Sequence, residues 1–413
     1  MELLSPAGNL EKMNTAFAYG ADAVYIGLPG FSLRAGAETW NTEQLQALPD
    51  SLKHWNSIRP RKIYCAVNRY LHQKNINDLA KLADLLGDIP IDAFIISDLG
   101  FVPTLKSVFP RSELHLSTQA NCTNSAAARM YQDMGFSRIV AARELSLEEI
   151  SEIKASVPEM EIEAFVHGAV CIAYSGRCLI SSWLTGRSAN HGTCTHSCRW
   201  QYREFEEKKR PGNPLRVEEQ DGYSTIFSPE DMCMINHIDD LRSAGVDSLK
   251  IEGRMKSAYY AAVVTQAYRH AMNHSAGNDS ANEMSRRLLF ELPHRGYSTG
   301  MYFGAPEVFM PRSDTSPRFA GLILHQKAHG QFEVLIKNKF SVTDPVEMIT
   351  PEGECSDIDG IQFFDSDGNP TEQLIHGNTY TATSPRKLTP YSILRTVSTA
   401  TQPGAQDDDD AAI

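Results

Sequence analysis

Five cysteines, Cys171, Cys178, Cys194, Cys198 and Cys233, cluster in a chain of 413 residues that has eight in all, and the first four fall within 28 positions. Thiolates are soft ligands that select zinc or iron-sulfur clusters, and cysteines gathered in a chain without a secretory leader hold metal more often than they form disulfides. Six residues separate Cys171 from Cys178 and fifteen separate Cys178 from Cys194, which is unlike the paired CxxC knuckles of structural zinc. Four thiolates drawn from scattered loops suit a cubane cluster, which needs sulfur at its corners and little regular spacing. From spacing alone, iron-sulfur ligation, structural zinc and incidental burial all stay open. Cys65, Cys122 and Cys355 read as incidental.

The residues that must position these thiols form a regular series. Apolar runs at 2–4, 23–27, 62–68, 93–98, 113–119, 138–144, 162–168 and 248–254 each end in polar or glycine residues and alternate with helical stretches. Eight such runs read as parallel βα units, and eight closes a (β/α)8 TIM-like barrel. The open doubly wound sheet is the alternative, but no Gly-rich dinucleotide turn supports it. Ser146 with Glu149 forms a capping box ahead of one helix. Nearly eighty residues intervene between the seventh and eighth runs, so the barrel, residues 1–303, carries a cysteine-bearing insertion at 169–247 above its C-terminal mouth. A linker at 304–317 leads to alternating short strands over 318–398, a small all-β barrel domain. Residues 399–413 end in an Asp run that reads as a disordered acidic tail.

Active sites of such barrels lie where the strands end. The polar residues there are Asn68, Asp98, Gln119, Glu144, His167, Glu252 and Arg254. Arg143, Arg177, Arg187 and Arg254 point to an anionic ligand, because a guanidinium fork grips a carboxylate or phosphate through two hydrogen bonds. Hydrolase signatures are weak: there is no HExxH, and Gly296-Tyr297-Ser298-Thr299-Gly300 follows no apolar strand. The net charge of -12 argues against a general nucleic-acid coat. Binding of nucleic acid then needs a local patch, for which Arg199, Arg203, Lys208, Lys209 and Arg210 in the insertion, and Lys337, Lys339, Arg386 and Lys387 in the β domain, are the candidates. No stretch approaches the roughly 20 apolar residues of a membrane span, so the expectation is a soluble cytoplasmic protein.

The run Glu163-Ala-Phe165-Val-His167-Gly168-Ala169-Val170-Cys171, continued by Tyr174-Ser175-Gly176-Arg177-Cys178, resembles the signature of the collagenase-like peptidase family of unassigned catalytic type. Leu4-Ser5-Pro6-Ala7-Gly8, Ser117-Thr118-Gln119-Ala120-Asn121, Ser248 to Arg254 and His294-Arg295-Gly296-Tyr297 agree with it. The resemblance, strongest to the RNA-hydroxylating branch, implies prephenate-dependent 5-hydroxylation of the wobble uridine of tRNA. It also implies a [4Fe-4S] cluster on Cys171, Cys178, Cys194 and Cys233, with Cys198 the substitute for Cys233, and iron-sulfur assembly machinery as a partner. On that reading His167, Glu144 and Arg177 are the candidate catalytic side chains, while Arg143, Arg187, Arg254, Asn68 and Gln119 are the candidates to hold the dicarboxylate prephenate. The rivals are a peptidase and a hydroxylase of ribosomal RNA or of a quinone precursor.

Overall fold

The computed structural model describes residues 1–397 except 29, 33–39, 71, 74–77, 88, 172, 174–176, 179, 186, 188–193, 200, 203–217, 221–222, 226–229, 274–279, 305, 307, 314–316 and 329. Strands β1 (Glu2–Pro6), β2 (Ala23–Gly27), β3 (Lys62–Val67), β4 (Ala93–Ile96), β5 (Glu113–Leu116), β6 (Arg138–Val140) and β7 (Glu161–Ala169) pair in parallel, each with the next. The eighth barrel strand, Ser248–Ile251, pairs in parallel with both β7 and β1, which closes the ring. These strands are apolar along nearly their whole length because helices cover the outer face while side chains fill the lumen. The expected capping box is present: the Ser146 hydroxyl accepts from the Glu149 amide and the Glu149 carboxylate from that of Ser146.

The lumen holds charge as well as hydrocarbon. Glu163, fully buried on β7, accepts from Lys250 on the eighth strand at 2.6 Å and from Arg138 on β6 at 3.1 Å. Arg138 also reaches Glu2 on β1 at 2.6 Å, and Glu2 further accepts from Tyr64 at 2.6 Å and Ser248 at 2.9 Å. Burial opposes ionisation of Glu163, but Lys250 and Arg138 outweigh it and hold the carboxyl below its ordinary range.

The β domain is an antiparallel half-barrel of eight strands, with Arg318–Ala328, Gln331–Ile336, Thr379–Thr383 and Ile393–Thr396 at its centre. It has its own core around Ile323, Val334, Phe363 and Leu394. Leu322, Ile349 and Ile393 belong instead to the barrel's core. The joint is sealed by Arg395, 1% exposed, which donates to Glu291 at 2.7 Å, Glu347 at 2.8 Å and the Tyr259 hydroxyl at 3.2 Å. Tyr19, at the end of helix α1 (Leu10–Ala18), donates to the Ile349 carbonyl at 2.7 Å. The linker is not featureless: Val308–Met310 pairs antiparallel with Tyr297–Ser298 and extends the barrel sheet.

Lys337 and Arg386, two candidates for a basic face of the β domain, do not lie together. Gln331 pairs with Thr383 and Leu335 with Thr379, so Lys337 and Arg386 leave opposite ends of that strand pair. Six residues at about 3.3 Å each put roughly 20 Å between the two ends. Lys337 meets Glu11, in the first turn of α1, at 2.8 Å, which places it beside the barrel mouth; Arg386 donates to the Asp357 carbonyl instead.

Replacing Glu163 by Gln will take the carboxylate partner from buried Lys250, while Arg138 keeps Glu2, and cost about 3–5 kcal/mol, read by urea unfolding at neutral pH. Because the folded pKa of Glu163 lies below its unfolded value, its contribution is present above the unfolded pKa and lost as pH falls through the folded one. The stability curve of Glu163→Gln will therefore be flatter than the wild type's below about pH 4.

Candidate active site at the barrel mouth

On one side of the mouth, polar side chains tie the ends of β3, β4 and β5 together. The Asn68 amide donates to Gln119 Oε1 at 3.2 Å, and the Ser117 hydroxyl donates to the same oxygen. Ser97 reaches the Asn68 carbonyl at 3.2 Å, and Tyr70 donates to the Gln119 carbonyl at 2.7 Å. Neighbouring strands lie about 4.8 Å apart, so an amide contact from β3 to β5 leans inward over the end of β4. Burial raises the Tyr70 pKa while the Arg177 guanidinium works against that rise, which places Arg177, an exposed residue, on this rim. Asn121, in the left-handed region at φ 54°, donates from its side chain to Glu144 at 3.4 Å.

Two arginines stand elsewhere around the mouth. Arg143 lies 4.0 Å above the Phe165 ring, donates to the Ala169 carbonyl at 3.1 Å and reaches Glu252 at 3.4 Å. Its Nε is buried without a partner among the described residues. Arg254, 6% exposed, lies 5.7 Å over the Tyr25 ring. Its guanidinium occupies the space beside Gly27, where a Cβ would fall 1.5 Å from its Nη1, so only glycine admits it. Arg187 does not join them directly: it is exposed, and its carbonyl accepts from Ser181 at 2.6 Å.

His167 does not face the mouth. Between β7 and the eighth strand the register shifts, Phe165 opposite Lys250 but His167 opposite Ile251, and this bulge turns His167 out of the lumen. Its ring lies 5.3 Å from Tyr297 and 5.6 and 6.0 Å from Tyr268 and Tyr260 of the helix Ala258–Asn273. Burial lowers its pKa to about 3, with Asp231 opposing and His294 assisting the shift. Packed among these tyrosines, His167 forms a wall behind the mouth.

The thiols divide into two groups. Cys178 precedes the helix Ile180–Thr185, whose Ser181 hydroxyl meets Thr195 at 3.0 Å, and Thr195 meets Ser197 at 2.6 Å. These hydroxyls knit the Cys178 segment to the turn bearing Cys194 and Cys198, and the His196 amide donates to Cys194 Sγ at 3.4 Å. Cys171 is exposed two residues beyond the end of β7. Cys233 sits apart, fully buried on the strand Asp231–Cys233, which runs antiparallel to β7 with Cys233 opposite His167. Tyr268 donates to its sulfur at 3.9 Å, and burial pushes the thiol up to about 12. In kind these donors suit a soft metal, and an amide donating to sulfur favours a thiolate. Among the described residues, no three His, Cys, Asp or Glu side chains form a metal-holding group. The triplet Asn190-His191-Gly192 and the basic residues Arg203, Lys208, Lys209 and Arg210 lie outside the described residues, as does the acidic tail.

Residues 8–310 match Peptidase family U32, and residues 315–395 match the Peptidase family U32 C-terminal domain. The chain belongs to peptidase family U32. It is 37% identical to tRNA hydroxylation protein P of Escherichia coli (strain K12), over 86% of this chain and 87% of that one. The 23S rRNA 5-hydroxycytidine C2501 synthase of the same organism is 34% identical over 78% of this chain and 48% of its own length. A collagenase of Porphyromonas gingivalis (strain ATCC BAA-308 / W83) is 31% identical over 73% of each.

Ser298, Cys65 and Cys122 are poorly placed to act as nucleophiles. Ser298 is 3% exposed in a short strand, where its hydroxyl accepts from the Gly300 amide at 3.3 Å. Cys65 and Cys122 are buried, and burial raises both thiols, Cys65 to about 12. No helix among the described residues is long and apolar enough to cross a membrane. The sequence reading missed Tyr70, Asn121 and Lys250. Asn121 was signalled by its place two residues after Gln119, since Asn tolerates the left-handed turn that brings it back toward Glu144.

The imidazole of His167 will remain neutral from pH 8 to pH 5, read by NMR of labelled histidine. Its folded pKa lies below the ordinary histidine value, so folding opposes its protonation. The associated stability falls as pH drops from about 6.5 toward 3.

Proposed function

We propose that this chain is an RNA hydroxylase that acts on the wobble uridine of tRNA to give 5-hydroxyuridine, with prephenate as cosubstrate and a [4Fe-4S] cluster on its thiols. The observation that carries the reading is similarity to a tRNA hydroxylation protein through both the barrel and the β domain, at 37% identity. The mouth is consistent with it. Arg143 and Arg254 offer guanidinium groups to a dicarboxylate, and Arg177 on the rim is free in its exposure to meet a phosphate. Cys171, Cys178 and Cys194, with Cys233 or Cys198 as the fourth, would hold the cluster. When bound, such a cluster supplies a Lewis-acidic or one-electron centre beside the mouth. Glu252, held against Arg143 at 3.4 Å, orients that guanidinium. Tyr25, donating to the Ile251 carbonyl at 3.0 Å, floors the pocket under Arg254. Glu144, which accepts from Asn121 at 3.4 Å, is the carboxylate to which we assign the proton lost from the pyrimidine ring. Lys337 at the rim extends the phosphate-binding surface.

The peptidase reading is disfavoured by the buried state of Ser298, Cys65 and Cys122. Protein purified without oxygen will contain about four iron and four sulfide per chain, and Cys171→Ala or Cys178→Ala will lose most of both. In cells lacking the gene, tRNA nucleosides analysed by mass spectrometry will lack 5-hydroxyuridine. The wild-type gene will restore it, Arg254→Ala will restore less than a tenth, and cells unable to make prephenate will show the same deficit. An iron-free, colourless protein that cleaves gelatin and leaves tRNA unchanged sinks the proposal.

A further inference from the structure

The amide pair over β4 has a chemistry that the cosubstrate does not need. Prephenate offers carboxylates, for which guanidinium groups are the apt partners, and those are supplied by Arg143 over Phe165 and by Arg254 beside Gly27. Asn68 and Gln119 instead bring carboxamides, planar groups that carry a donor and an acceptor side by side, as a pyrimidine edge does. Gln119 Oε1 is already occupied, accepting from both Asn68 and Ser117. That leaves Nε2 as the outward group of Gln119, a donor with no partner among the described residues, on a half-buried side chain. The backbone beneath it is fixed as well, since Tyr70 holds the Gln119 carbonyl at 2.7 Å.

Resting on the RNA-hydroxylase reading, we infer that Gln119, oriented by Ser117 and Asn68, is the residue that selects uracil over cytosine at the mouth. A base turned out of its stack into the barrel presents O4, an acceptor, if it is uracil, and N4, a donor, if it is cytosine. The Gln119 amide satisfies the first and meets the second donor to donor. A relative whose product is 5-hydroxycytidine belongs to the same family, so a determinant of base choice must exist within this common barrel.

The test uses the full chain, purified without oxygen, and two anticodon stem-loop RNAs that differ only in U or C at the wobble position, with affinities read by fluorescence anisotropy at fixed salt. The wild type will prefer the U stem-loop by about tenfold, the scale of one well-made base contact. Gln119→Glu, which puts an acceptor where the donor was, will abolish or invert that preference. Ser117→Ala, which frees Oε1 and lets the amide rotate, will weaken it several-fold without touching the base, and both variants will be checked for a wild-type unfolding midpoint. A preference unchanged in Gln119→Glu overturns the inference, as does a wild type that binds both stem-loops equally. A folded wild type that binds neither stem-loop overturns the RNA reading itself, and the base-selection inference with it.

Discussion

The ion cluster inside the barrel is the constraint on which the remaining architecture rests. Glu163, Lys250, Arg138 and Glu2 come from β7, the eighth strand, β6 and β1, so one set of charges spans the seam where the barrel closes. Arg138 is shared further with the half-exposed Glu161 at 2.8 Å, and each buried charge has its partner, the condition under which such a network is tolerable in a low-dielectric core. The seam has to be specified with care because the chain makes its longest excursion between β7 and the eighth strand. Closing a long loop carries an entropic cost, and charges that fit in only one register direct the returning strand to its place.

With the seam fixed, the mouth divides into two chemically different halves. Amides and hydroxyls gather at the ends of β3, β4 and β5, while the guanidinium groups lie over Phe165 of β7 and beside Gly27 of β2. Among the described residues, neither half contains a nucleophile activated for acyl transfer, while both contain groups suited to holding flat or anionic ligands still. The β domain adds a rim cation at Lys337, apart from Arg386, so recognition of a long polyanion through the described residues would be focused at the mouth rather than spread along the sheet.

The eight barrel strands were legible because a parallel strand buried on both faces leaves an uninterrupted apolar run, and the polar residue that ends each run marked the mouth. Asn68, Gln119, Glu144 and Arg254 were placed at the strand ends that way. His167 was misread because alternation along β7 is broken by a bulge, and a one-residue shift against the partner strand leaves no trace in composition. Lys250 looked like an ordinary charge within a strand, since its partner Glu163 is 87 residues away in sequence. Lys337 and Arg386 part for a related reason: they flank neighbouring antiparallel strands, and antiparallel pairing sends the two flanks in opposite directions. Strands of two or three residues, such as Cys355–Asp357 and Gln362–Phe364, were too short for periodicity to register.

The place of Glu2 in the lumen network also sets how the molecule can be handled. β1 begins at the floor of the barrel, at the end remote from the mouth, and its second residue is already engaged with Arg138, Tyr64 and Ser248. A tether attached ahead of Met1 would therefore leave through the floor, and a surface bearing the protein by that tether would hold it with the mouth turned outward, open to a macromolecule in solution.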